Sequence, residues 1–173
     1  MQSKTIKGKS TLEIITALEK SIVEGFIPTL AIVFLSVKQD IDAISKLLDE
    51  KGIQIFGVTT AGEFIDGDIE EGSIVIMLLD IKQAYFKLEF LEISQETAFE
   101  AAQKLGQTGR QTFKNAAFII ANSGVALDGE PIVEGILQGF GKSSTSANGE
   151  VTVFGGKAAD DLALEATYVF TNG

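Results

Sequence analysis

Two twelve-residue stretches of the chain align without a gap. "IQIFGVTTAGEF" begins at Ile53 and "VTVFGGKAADDL" at Val151, so Phe56 meets Phe154, Gly57 meets Gly155, Glu63 meets Asp161 and Phe64 meets Leu162. Each stretch is an apolar run of strand length followed by glycine and acidic residues. Upstream, "LAIVFLS" parallels "AAFIIANS", and each of these runs has a helical pattern before and after it. Continuous apolar runs of six to eight residues suit strands buried on both faces, with helices as crossovers. The pattern predicts one α/β domain over 1–173, with a mixed sheet or two packed sheets flanked by helices. It also predicts two pseudo-repeated α-β-α-β halves, roughly 10–93 and 95–173, whose glycine loops face one another across a seam. Strand ends of α/β sheets are where ligands usually bind.

Local signals fill in the elements. Residues 10–24 predict a helix with Leu12, Ile15, Leu18 and Ile22 on one face, a Ser10/Glu13 capping box and Gly25 as the stop. Asp40 caps a second helix, with Ile41, Ile44, Leu47 and Leu48 inward and Gly52 at its end. Residues 73–80 read as a strand around the apolar run "IVIMLL", and residues 83–93 alternate like a strand with one wet face. A helix over 95–113 is weakened by Gly106 and Gly109. Pro131 opens a further helix to Phe140, with Ile132, Val133, Ile136, Leu137 and Phe140 inward. "GKSSTSANGE" is polar and turn-rich, hence a loop, and "ATYVFTN" is the last strand.

Composition excludes several functions. The net charge is −10, and the 14 Lys and Arg are scattered. A nucleic acid needs clustered cations, so neither it nor an anionic membrane surface is an expected partner. There is no Cys and no His, which removes disulfides, Cys- or His-based nucleophile systems and ordinary zinc sites. The longest apolar runs, "LAIVFL" and "IVIMLL", are far short of the ~20 residues of a membrane span. "MQSKTIKGKS" lacks the apolar centre of a signal peptide, so a cytoplasmic protein is expected. "GFGKSS" imitates a phosphate loop, but Ile136 stands where the first glycine belongs and the stretch follows a helix.

The candidate site gathers at the glycine loops. Gly57 and Gly62 permit close approach or positive φ, Thr59 and Thr60 supply hydroxyls, and Glu63 supplies a carboxylate for an ammonium group. In the second stretch Gly155 and Gly156 leave room beside a strand end, and Asp160 and Asp161 add carboxylates. Ser123 closes "AAFIIANS". Each group also has a local reading: hydroxyls bonded to their own turn, acids capping amides. Two adjacent aspartates are thin support for a metal, and no nucleophile is paired with a base, so neither metal nor cofactor is expected.

In its blocks "FGVTTAGEF", "EGSIVIMLLD", "DGEPIVEGILQGF" and "FGGKAADDLALEATYVFTNG", from about Leu30 to Gly173, the chain resembles the N-terminal half of the FIST domain. FIST stands for F-box and intracellular signal transduction. Gly57, Thr59, Thr60, Gly62 and Glu63 match the first family block, Gly129 the middle one, and Gly155, Gly156, Asp160 and Asp161 the last. The resemblance implies a sensory input domain for small ligands, amino acids among them. It also implies a C-terminal FIST domain, which this chain does not contain, or a signalling partner. The expected function is thus a cytoplasmic domain that binds a small polar metabolite. The alternatives are a carboxylate- or metal-dependent enzyme using Asp160 and Asp161, and a protein-interaction module.

Overall fold

The computed structural model describes residues 1–23, 25–65, 67–124, 127–141 and 151–172. The polar stretch 142–150 lies outside the described residues. Packing divides the chain into two compact units, Met1–Leu88 with Ala158–Gly173, and Glu89–Lys157.

The first unit holds a five-stranded mixed sheet. Its strands are β1 (Gln2–Gly8), β2 (Leu30–Leu35), β3 (Gln54–Thr59), β6 (Ile74–Asp80) and β9 (Val169–Phe170), and a small hairpin of β4 (Glu63–Ile65) and β5 (Asp68–Glu70) stands apart. The order is β1-β6-β2-β3-β9, with β2 and β3 parallel and the other neighbours antiparallel. Two helices, α1 (Thr11–Ser21) and α2 (Ile41–Asp49), bury Ile14, Leu18, Ile44 and Leu48 in the same core as Val33, Leu35, Ile55, Ile74, Ile76 and Leu78. Each Ile or Leu so withdrawn from water contributes roughly 1.5–3 kcal/mol.

Helix starts follow from single side chains. Ser10 Oγ accepts the Glu13 amide at 3.3 Å, and Asp40 Oδ1 accepts the Ala43 amide at 2.9 Å. Glu13 reaches back to the Lys9 amide at 2.9 Å, one residue short of the expected capping-box contact. The inward face of α1 differs from the expected one. Ile14, Leu18 and Ser21 are buried, while Leu12 is 72% exposed. In "LEIITAL" both Leu12/Ile15 and Ile14/Leu18 have helical spacing, and only the position of the sheet selects between them.

Three further elements depart from expectation. β1 forms from "QSKTIKG", a polar stretch, because all seven residues pair with β6. Residues 83–93 form no strand. A 3₁₀ turn at Gln83–Tyr85 leads into a stretch that forms no strand among the described residues. Period-two alternation is a side-chain pattern; it does not guarantee a neighbour to pair with. The last strand shrinks to Val169–Phe170, and Asn172 continues it with its side-chain amide, accepting from Ile55 N at 2.9 Å and donating to Ile53 O at 3.0 Å.

The second unit packs α3 (Ala98–Thr112) against α4 (Glu130–Phe140), beside a parallel pair, β7 (Ala117–Asn122) and β8 (Thr152–Lys157). Gly106 and Gly109, read as weaknesses, are points of close approach, Gly106 to α4 and Gly109 to Phe118 of β7. A Cβ on Gly106 would lie 2.3 Å from Ile136 O, and one on Gly139 only 1.9 Å from Gln103 O. The mixed α/β class holds. A β-α-β passage occurs in each unit, β2-α2-β3 and β7-α4-β8, with Leu30 opposite Gln54 and Ala117 opposite Thr152.

Candidate functional site

The parallel strands β2 and β3 end level with each other, Leu35 opposite Thr59, and antiparallel β6 begins there with Ile74 opposite Leu35. One residue further, Ser36 N donates to Ser73 O at 3.1 Å and Thr60 N to Leu35 O at 2.9 Å. Three hydroxyl residues, Ser36, Thr60 and Ser73, therefore line one rim of the sheet, at the carboxyl ends of its parallel strands.

Glu63 turns inward to this rim. It is 3% exposed, and its carboxylate accepts from Thr60 Oγ1 at 2.7 Å, Ser73 N at 2.9 Å and Ser73 Oγ at 2.9 Å. Such bonding satisfies a buried carboxylate without any ligand. Thr59 is also occupied. Its Oγ1 accepts from Tyr168 N at 2.9 Å, and its carbonyl accepts from Ala159 N at 2.8 Å. Both bonds tie residues 159–168 to the end of β3.

Asp160 organises that returning segment. Its Oδ1 accepts from Leu164 N at 3.0 Å, and its Oδ2 from Glu165 N at 2.6 Å and Ala166 N at 3.0 Å. Burial pushes the Asp160 carboxyl up, but the amides of Glu165, Leu164 and Ala166 together outweigh it and hold its pKa below the ordinary 3.8. Around it Asp161, Leu162 and Leu164 take φ of +53°, +66° and +57°, a region L-residues adopt only when their surroundings enforce it.

Asp161 points elsewhere. Its Oδ2 accepts from Ser36 Oγ at 2.9 Å and pairs with Lys38 Nζ at 3.0 Å. Its Oδ1 is buried and has no hydrogen-bond partner, the one such side-chain atom among the described residues. The Lys38 ammonium holds the Asp161 carboxyl below the ordinary 3.8, against desolvation, with the Ser36 hydroxyl assisting. Asp161 in turn raises Lys38 above 10.5. The Lys38 side chain is 72% exposed and that of Asp161 14%, so the pair has a wet cationic end and a sheltered anionic one.

The glycines answer to local packing. A Cβ on Gly57 would lie 2.2 Å from the Phe170 ring, and Gly62 turns the chain with φ +141°. Ser123, Gly155 and Gly156 belong to the second unit. Gly155 lies opposite Ile120 with φ +150°, and its Cβ would meet Ile120 O at 1.8 Å, whereas nothing lies within 4 Å of a Cβ on Gly156. The carbonyl of Ser123 accepts from Asn122 Nδ2 at 3.2 Å. The first unit thus brings together Thr59, Thr60, Glu63, Asp160 and Asp161. Sequence reasoning missed Ser36, Lys38 and Ser73. Ser36 and Ser73 are the polar residues that bound "LAIVFL" and "IVIMLLD" at the same rim, and that position was their only signal.

Asp160 and Asp161 do not converge, since one faces its own loop and the other faces β2. Among the described residues no three His, Cys, Asp or Glu gather as a metal site would need, and no helix is long and apolar enough to cross a membrane. The family model of the FIST N domain matches residues 29–173. Comparison with curated proteins and with solved structures returned no match.

Proposed function

The chain belongs to the FIST N domain family, a sensory domain of signal-transduction proteins, and from that premise we propose that its first unit binds a small polar metabolite, an amino acid, in the cytoplasm. The observation that carries the reading is the unpartnered, buried Oδ1 of Asp161 beside an exposed lysine. A buried anionic oxygen without a donor is costly, and a ligand ammonium removes that cost. Lys38 then offers its ammonium to the ligand carboxylate, so one residue pair matches both ends of a zwitterion. Glu63 and Asp160, already saturated by their own backbone and hydroxyls, act as supports that hold Thr60, Ser73 and the 160–166 loop in place. Occupancy passes to a C-terminal FIST domain or to a signalling partner.

Thermal shift against amino acids, sugars, nucleotides and Mg²⁺ tests the reading. An amino acid at 100 times its Kd stabilises by ~2.7 kcal/mol, a rise of roughly 5–10 °C for a chain of this size. Asp161→Asn and Lys38→Met each abolish the rise while remaining folded. Stabilisation by Mg²⁺ alone, or an amino-acid response that survives both substitutions, refutes it.

A further inference from the structure

We propose that the second unit carries a docking groove for a basic amphipathic helix of a partner protein. The groove is open, about 540 Å³ in volume, and lies between residues 89–93 and one flank of α3. Leu91, Ile93, Ala101 and Leu105 are its apolar lining, and Glu92 and Glu100, both exposed, line it as well. Leu91 is 43% exposed, so it presents apolar surface to an incoming side chain.

Geometry selects a helix as occupant. The α3 residues along the groove recur at helical spacing from Thr97 to Thr108, a stripe about three turns or ~16 Å long. Ala101 and Leu105, four apart, form the ridge-and-gap pattern into which a second helix packs. The other flank of α3 meets α4 through Ala102, Gly106 and Gly139, so the groove runs along a different face of α3 from the one α4 covers. Residues 89–93, which take part in no strand ladder among the described residues, form the far wall.

Charge selects a basic one. Glu92 and Glu100, both exposed, line the groove beside the single cation Lys104, on a chain of net charge −10. Leucines on one face of the incoming helix meet the apolar lining, and lysines or arginines beside them meet the glutamates. An acidic helix with the same leucine stripe is repelled, so the charges supply selectivity as well as attraction.

The probe is a fluorescently labelled helical peptide with Leu at i, i+3, i+4 and i+7 and Lys elsewhere, read by anisotropy against the full chain. Its counterpart has Glu in place of every Lys. We expect saturable binding of the Lys peptide and none of the Glu peptide. Leu91→Asp, and separately the Glu92→Lys/Glu100→Lys pair, weaken binding by roughly tenfold or more. The pair Glu19→Lys/Glu134→Lys makes the same change in net charge on α1 and α4 and leaves binding unchanged. Circular dichroism checks that every variant is folded. Equal weakening by the two charge-reversal pairs, binding of both peptides alike, or no saturable binding overturns the proposal.

Discussion

Removing the Glu63 carboxylate separates a structural support from a ligand contact. In Glu63→Ala three donors lose their acceptor: the Thr60 hydroxyl, the Ser73 hydroxyl and the Ser73 amide. The two hydroxyls can rotate toward other acceptors. The amide cannot, and Ser73 is 1% exposed, so water does not reach it. A stranded buried donor costs about 1–3 kcal/mol, and the lost charge-assisted bonds a similar amount. Relief from burying a carboxylate offsets part of this, leaving a net loss of about 2–4 kcal/mol. For a chain of 173 residues that is a fall in Tm of roughly 4–16 °C. Glu63→Gln keeps an oxygen for Ser73, and the Thr60 hydroxyl turns to suit the amide, so its loss is nearer ~1 kcal/mol. Far-UV circular dichroism is the assay, because the chain has no Trp. The reasoning fails if Glu63→Ala melts with the unsubstituted chain or if Gln is as damaging as Ala. A Glu63→Ala protein of full stability that no longer responds to ligand would move Glu63 into the binding surface.

Two other outcomes follow from the same geometry. Gly139→Ala brings a methyl to 1.9 Å from Gln103 O, so α3 and α4 must separate. We expect urea denaturation to show a loss of about 1–3 kcal/mol, despite a gain in helix propensity of ~1 kcal/mol, whereas Gly156→Ala, with open space around it, stays near neutral. Acidification weakens the first unit. Asp160 and Asp161 are both depressed below 3.8, so their stabilisation is complete above that value and is lost as the pH falls through their lower folded values. Melts between pH 2 and pH 7 should steepen at the acid end, and Asp160→Asn or Asp161→Asn should flatten that region; an unchanged profile in both variants refutes the assignment.

Much of this fold was legible in the chain. Ser10 and Asp40 mark helix starts because capping needs only a local oxygen and an amide three residues on. "LAIVFL", "IVIMLLD" and the two glycine-ended runs mark strands because continuous apolar stretches of that length have few other homes. The candidate residues of the first glycine loop were found for the same reason: polar groups at strand ends are rare enough to notice. Their directions were not legible. Thr60 and Glu63 bond to each other and to Ser73, and this follows from β6 starting level with the ends of β2 and β3.

What the residues alone determined are the interactions whose partners lie within a few positions: caps, turns, strand-length apolar runs, and the absence of His and Cys chemistry. The tertiary structure decided everything that depends on a distant neighbour. It made a strand of "QSKTIKG" by offering it the edge of β6, and gave residues 83–93 no strand ladder among the described residues. It chose Ile14 over Leu12 for the core of α1. It turned one of two adjacent aspartates toward its own loop and the other, across 125 positions, to Ser36. Side-chain chemistry is local, but hydrogen-bond satisfaction and burial are properties of the whole packed unit, so identical carboxylates acquire different roles only once the chain has closed on itself.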